Sequence, residues 1–156
     1  MATEARSFSS AGWKVLWQAG AGGIDLARQS IDGIDGIRAE AFVTDMYGAF
    51  GAADLALTRS GASTLAELAL FGLPSVLVPF PSATGNHQEI NAREFSDAGA
   101  ARLLIEATWR DGDGLRAVEA LWEHRAEASS AMKSFARPHC ADELADAVAK
   151  AVGRRA

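Results

Sequence analysis

A parallel α/β sheet with helices on both faces is the architecture this sequence predicts, and three observations predict it. Short apolar runs alternate with segments of helical periodicity along the chain. Runs such as Leu77-Val78 and Leu103-Leu104-Ile105 are apolar without interruption, as strands covered on both faces are. Glycine and proline stand between these segments rather than inside them.

Taken in order, residues 14–18 read as a short strand, and residues 24–31 as a helix with Ile24, Leu26, Ala27 and Ile31 apolar. A second strand over 37–42 and a short helix over 45–52 continue the alternation. The third strand covers 54–58, and the next helix, over 63–71, presents Leu65, Leu68, Ala69 and Leu70 as its apolar face. Gly72-Leu73-Pro74 ends that helix and opens a fourth strand over 75–78. A helix over 86–98, a fifth strand over 101–105 and two helices, over 115–136 and 142–152, complete the chain, with Arg137-Pro138 separating the last two. The short connections suit α/β units with right-handed crossovers.

At 156 residues the chain has the length of one domain with one substantial core. The composition assigns residues 1–12 to a mobile start, 13–152 to the domain and 153–156 to a tail. An apolar fraction of 49% with 22% charged residues is that of a folded soluble protein, and no apolar run approaches the roughly 18 residues that span a bilayer. The first ten residues lack the apolar core of a signal peptide, so residence in the cytoplasm is expected. Cys140 is the single cysteine and has no companions for a disulfide framework or a metal site. A net charge of −5 argues against nucleic-acid binding, since no basic excess replaces counterions along phosphates. Arg6 and Lys14 are scattered, and Arg154-Arg155 reads as a solvated helix end.

The richest stretch is Arg59-Ser60-Gly61-Ala62-Ser63-Thr64-Leu65-Ala66-Glu67, which joins a strand to a helix through small residues. In a parallel sheet that turn lies at a strand's carboxyl end, where the first helical N–H groups lack intrahelical partners and the helix dipole favours an anion. Gly61 and Ala62 leave room for a phosphate, Ser63 and Thr64 add hydroxyl donors, and Glu67 supplies a carboxylate. A capping box over Thr64-Leu65-Ala66-Glu67 accounts equally well for the same residues. A second such junction, from Val76 through Pro79-Phe80-Pro81 to Asn86-His87-Gln88, would line the same cleft.

Several blocks in register resemble the carboxyl-terminal domain of the MurG-like transferases of glycosyltransferase family 28. They are Phe42-Val43-Thr44-Asp45-Met46, the segment from Ala53 to Glu67, Gly72 to Pro81, His87-Gln88-Glu89-Ile90-Asn91-Ala92 and Ala98-Gly99-Ala100-Ala101. The resemblance implies a Rossmann-like sheet forming the carboxyl-terminal half of a two-domain GT-B fold. It implies binding of UDP-N-acetylglucosamine, whose sugar passes to a muramyl-pentapeptide pyrophosphoryl lipid in peptidoglycan synthesis. By the same resemblance Phe42, Val43 and Met46 lie at the uracil, with main-chain groups near Val43 and Met46 reading its edge. Ser60, Gly61, Ala62, Ser63 and Thr64 receive the diphosphate, with Arg59 offsetting charge or pairing with a neighbouring carboxylate. Glu67 takes the ribose hydroxyls, and His87, Gln88 and Asn91 hold the sugar.

The implied reaction inverts the anomeric centre and needs neither metal nor other cofactor, because helix N–H groups stabilise the departing diphosphate. Asp111-Gly112-Asp113 lacks the further ligands of a calcium loop. No catalytic base is identified: His124 and His139 fall in the distal helical part. Nothing in residues 1–12 matches the family's glycine- and serine-rich turn after its first strand, and Trp17-Gln18-Ala19-Gly20 departs from the family's histidine, glutamine, threonine and glycine. The acceptor half is also absent from the sequence. These departures imply a sheet edge open to a partner, such as a complementary acceptor-domain chain. Because some relatives split the two halves between chains that assemble at the membrane, the resemblance implies indirect, peripheral association with the inner face of the plasma membrane. A noncatalytic nucleotide-sugar-binding remnant, a donor half acting on another polyprenyl-linked sugar, and a fragment of a sugar-nucleotide epimerase remain the alternatives.

Overall fold

Strands and helices alternate along the chain in the computed structural model, which describes residues 4–81 and 86–153. The order is α1 (Ala5–Ser10), β1 (Val15–Gln18), α2 (Ile24–Ser30), β2 (Ile37–Glu40), α3 (Met46–Ala52), β3 (Ala56–Thr58), α4 (Ala62–Phe71), β4 (Ser75–Leu77), α5 (His87–Asp97) and β5 (Ala101–Leu103). A 3₁₀ turn (Glu106–Thr108), α6 (Asp113–Trp122), α7 (Arg125–Lys133) and α8 (Cys140–Ala151) follow. Arg154-Arg155 and the polar run Ser82-Ala83-Thr84-Gly85 lie outside the described residues.

Every strand pairing is parallel, as the alternation requires. The strands nevertheless form two ladders, β1 with β2 and β3-β4-β5, and no ladder joins the two among the described residues. Val15 faces Ile37 in the first, while Ser75 stands between Ala56 and Ala101 in the second. The expected single sheet is thus divided. Among the described residues β1 and β3 each have a partner on one side only, so both carry a row of backbone groups with no ladder to join. Side chains hold the halves together: Val15 and Ile37 pack with Leu57, Val76 and Leu104 around Phe8, Val118 and Leu121.

The second core lies on the other face of β3-β4-β5. Leu65, Leu68 and Ala69 of α4, Ala92 and Phe95 of α5 and Met132 of α7 meet there. β4, at the centre, is fully buried. Gly72 ends α4 in the left-handed conformation, φ 62°, with its N–H donating to Ala69 O and that of Leu73 to Leu68 O.

The sequence suggests a mobile start over residues 1–12, yet residues 5–10 form α1, with Phe8 buried in the first core. Glu4 anchors it: Oε1 accepts from Trp109 Nε1 (2.9 Å), Gly112 N (2.8 Å) and Gly114 N (3.3 Å), at the start of α6. The helix expected over 115–136 is broken at Glu123-His124 into α6 and α7. The chain must turn there because Val118 and Leu121 pack into the first core and Met132 into the second. Arg125 closes the break, stacking 3.9 Å over the Trp122 ring while Nη1 donates to Trp122 O.

Candidate functional site

Parallel strands run to a common edge, so α4 and α5, which follow β3 and β4, both begin at the carboxyl ends of the second ladder. The start of α4 decides between the two readings of its sequence. Its N-cap is Gly61, extended at φ −67° and ψ 144°, and no side chain caps it. Thr64 is therefore inside the helix, and the capping box does not form. The first intrahelical bond runs from Leu65 N to Gly61 O, so the N–H groups of Ala62, Ser63 and Thr64 have no partner within the helix. Burial of Leu65, Leu68 and Ala69 turns Ser63 and Glu67 to the exposed face. A Cβ built on Gly61 meets no atom of the described residues within 4 Å, so among them the space before these amides is open.

α5 begins at His87, and its N-cap, Asn86, is left-handed (φ 56°) with no side-chain cap bond. Burial of Ala92 and Phe95, the latter stacked 4.1 Å from Phe135, fixes its inner face. His87 is exposed, and Gln88 and Asn91 are half-buried. Asn86 Nδ2 donates to Glu89 Oε2 (3.0 Å) and Arg93 Nη2 to Glu89 Oε1 (2.6 Å). The Asn86 bond, then Arg93, hold the Glu89 carboxyl below its ordinary range. A carboxyl lowered by folding stabilises the fold above its unfolded pKa, and that contribution is lost as pH falls through the folded value. Glu89→Gln should therefore shrink the loss of stability between pH 7 and about pH 3. Urea unfolding at both pH values checks this, and an unchanged difference would refute it.

Hydrogen bonds tie the two junctions together. Ser60 is buried, and its hydroxyl donates to Gln88 O (2.7 Å), so it braces α5 instead of presenting a donor to the cleft. Gln88 Oε1 accepts from Phe80 N (2.9 Å). Arg59 Nη1 donates to Val78 O (3.3 Å), Pro79 O (3.1 Å) and Glu106 Oε2 (2.5 Å), with the guanidinium 5.4 Å from the Phe80 ring centre.

Phe42, Val43 and Met46 form a separate group after β2. Phe42 is exposed, and Met46 opens α3 behind Asp45, whose Oδ1 accepts from Gly48 N (2.8 Å). Val43 N donates to Gln18 Oε1 (2.8 Å), so this amide is engaged within the chain. A Tyr47–Phe71 ring contact at 4.7 Å joins α3 to α4. Gln18 and Glu106 are the residues of this edge that sequence reading passes over. Gln18 stands in the altered Trp17-Gln18-Ala19-Gly20 block, whereas nothing local to Glu106 signals its pairing. An open hollow lined by Asp54, Pro74 and Arg125 lies at the amino ends of β3 and β4, away from the helix starts. Among the described residues no group of three His, Cys, Asp or Glu side chains could hold a metal ion, and no helix is long and apolar enough to cross a membrane.

The described residues form a parallel α/β domain in which α4 and α5 begin at the carboxyl edge of the second ladder, neither N-cap residue making a side-chain cap bond. The chain belongs to the glycosyltransferase family 28 C-terminal domain family, whose profile matches residues 4–147. It is 47% identical over 107 residues to the UDP-N-acetylglucosamine–N-acetylmuramyl-(pentapeptide) pyrophosphoryl-undecaprenol N-acetylglucosamine transferase of Desulforudis audaxviator, covering 67% of this chain and 29% of that one. The protein of the same name from Halorhodospira halophila is 42% identical over 137 residues, covering 85% of this chain and 38% of its own length. The crystal structure of Acinetobacter baumannii MurG superposes with a TM-score of 0.77 at 26% identity, over 88% of this chain and 43% of that one. The chain thus spans less than half the length of these relatives. The fold is shared with the glycotransferase of kitacinnamycin, at a TM-score of 0.65 over 85% of this chain and 33% of that one.

Proposed function

We propose that this chain is the donor-binding domain of an inverting N-acetylglucosaminyltransferase, and that the start of α4 takes the diphosphate of UDP-N-acetylglucosamine. The observation that carries this reading is the uncapped, glycine-preceded start of α4 at the carboxyl edge of a parallel sheet. The amides of Ala62, Ser63 and Thr64, with the Ser63 and Thr64 hydroxyls, donate to the diphosphate. Glu67 accepts from the ribose, Phe42, Val43 and Met46 meet the uracil, and His87, Gln88 and Asn91 hold the sugar. Gln88 spends its Oε1 on Phe80 N, so the group it turns to a ligand is the Nε2 donor. Ser60 and Arg59 serve from behind, as braces.

Charge accumulates on the diphosphate as the anomeric bond breaks. Fixed amides at a helix start bind it more strongly then than in the ground state, which is the condition for rate enhancement. Deprotonating the acceptor hydroxyl requires a base within hydrogen-bond reach, and His124 and His139 stand in the distal helices, before α7 and α8. Transfer to a polyprenyl-linked muramyl acceptor therefore calls on a complementary acceptor domain, working at the cytoplasmic face of the membrane.

Titration calorimetry with UDP-N-acetylglucosamine, UDP and uridine is the test. Heat is expected for both diphosphates and much less for uridine. A folded chain that gives no heat with millimolar UDP would remove the reading. Mixing with a separately expressed acceptor domain then separates sugar transfer from binding alone.

A further inference from the structure

We propose that Glu106 is a positioning residue: through Arg59 it holds the end of β4 in place, and so sets where Gln88 and the start of α5 stand relative to the start of α4. The ligand-selecting part of this inference rests on the donor-site reading; the mechanical part does not.

Three links of short reach make the brace. Glu106, in the 3₁₀ turn after β5, accepts from Arg59 Nη1 at 2.5 Å. The same nitrogen donates to the carbonyls of Val78 and Pro79, so the guanidinium bridges the carboxyl ends of β3, β4 and β5. Phe80, the next residue, packs its ring under the guanidinium and donates its N–H to Gln88 Oε1. The buried Ser60 hydroxyl closes the circuit by donating to Gln88 O. Gln88 is thereby fixed from both its side chain and its backbone, by segments that Arg59 and Ser60, adjacent in the chain, reach together.

The charges are arranged for steering an arm more than for stability. Both side chains of the ion pair are 45% exposed, so its contribution to global stability is small. Its geometric effect is larger, because a guanidinium released from Glu106 is free to leave the Val78 and Pro79 carbonyls, and Phe80 then loses the ring contact that aims its amide at Gln88. Misplacing a polar contact by a fraction of its length forfeits much of its strength. The uridine diphosphate end, held by α4 and by Phe42, Val43 and Met46, does not depend on this arm, whereas the sugar end does.

Two readouts test it. Amide exchange by NMR compares Phe80, whose N–H meets Gln88 Oε1, with Val78, whose N–H meets Thr58 O at 2.8 Å. In Glu106→Ala, Phe80 is expected to exchange at least about tenfold faster with Val78 unchanged, while Glu106→Gln, which keeps an acceptor for Arg59, stays within about threefold of the native rate. Calorimetry should show UDP-N-acetylglucosamine bound about tenfold more weakly by Glu106→Ala, with UDP within about twofold. An unchanged Phe80 rate, or acceleration of Phe80 and Val78 together, overturns the proposal. So does an equal weakening of both ligands, which would mark Glu106 as merely structural. Failure of the native chain to bind either ligand would overturn the donor-site reading, and the Phe80 amide would still decide the brace.

Discussion

Gly61→Val is expected to remove UDP binding while leaving the fold almost intact. Gly61 has φ −67°, which any residue adopts, and an added Cβ meets none of the described residues within 4 Å. The glycine is therefore not required by backbone strain or by packing. Valine is a poorer N-cap than glycine, at a cost of about 0.5–1 kcal/mol. Its methyl groups, however, would stand before the free amides of Ala62, Ser63 and Thr64, where a diphosphate must approach closely. Losing two or three charge-assisted hydrogen bonds should weaken UDP by about 100-fold or more. Gly61→Ala, with one methyl group, should fall between. Calorimetry and urea unfolding on the same samples read both quantities. A valine variant that binds UDP as the native chain does would show that the anion sits elsewhere.

The largest loss of stability is expected from Glu4→Ala. The Glu4 side chain is buried, with 1% of its surface exposed, and its Oε1 receives the indole N–H of Trp109 and the backbone N–H groups of Gly112 and Gly114. Alanine would strand those donors and release α1, at a cost of about 2–4 kcal/mol. Glu4 Oε2 has no hydrogen-bond partner among the described residues. Leaving a buried oxygen unpaired has a cost of its own, so Glu4→Gln, which keeps Oε1, should stay within about 1 kcal/mol of the native chain. Gly114→Ala should resemble Glu4→Ala, since its Cβ would press on Glu4 Oε2 and lie 2.9 Å from Trp109 Cζ2. Urea denaturation ranks the three. If Glu4→Ala costs less than about 0.5 kcal/mol, the carboxylate does not anchor α1.

Much of the candidate site is legible in sequence because its elements are local. A strand, a run of small residues and a helical apolar face are written within Asp54 to Phe71, and α4 begins at Ala62, one residue before the periodicity places it. The role of individual hydroxyls is not legible. Ser60 and Ser63 stand three positions apart in one polar turn, yet the first is buried under α5 and the second exposed on α4. That difference depends on where Gln88 falls, 28 residues away. Likewise Thr64 and Glu67 have the spacing of a capping box, and only the helix starting at Gly61 excludes it.

The sequence by itself determined the alternation of strands and helices, the parallel pairing that follows from it, the polar starts of α4 and α5, and membership of the family. These rest on periodicity, turn chemistry and motif order, which act over a few residues at a time. Tertiary structure alone decided the division of the sheet into two ladders, the turn between α6 and α7, the helix at the start of the chain and the Arg59–Glu106 brace. Each depends on groups that meet only when the chain closes on itself, 47 residues apart for Arg59 and Glu106 and 105 for Glu4 and Trp109, so that burial and geometry, not neighbouring residues, select the partner.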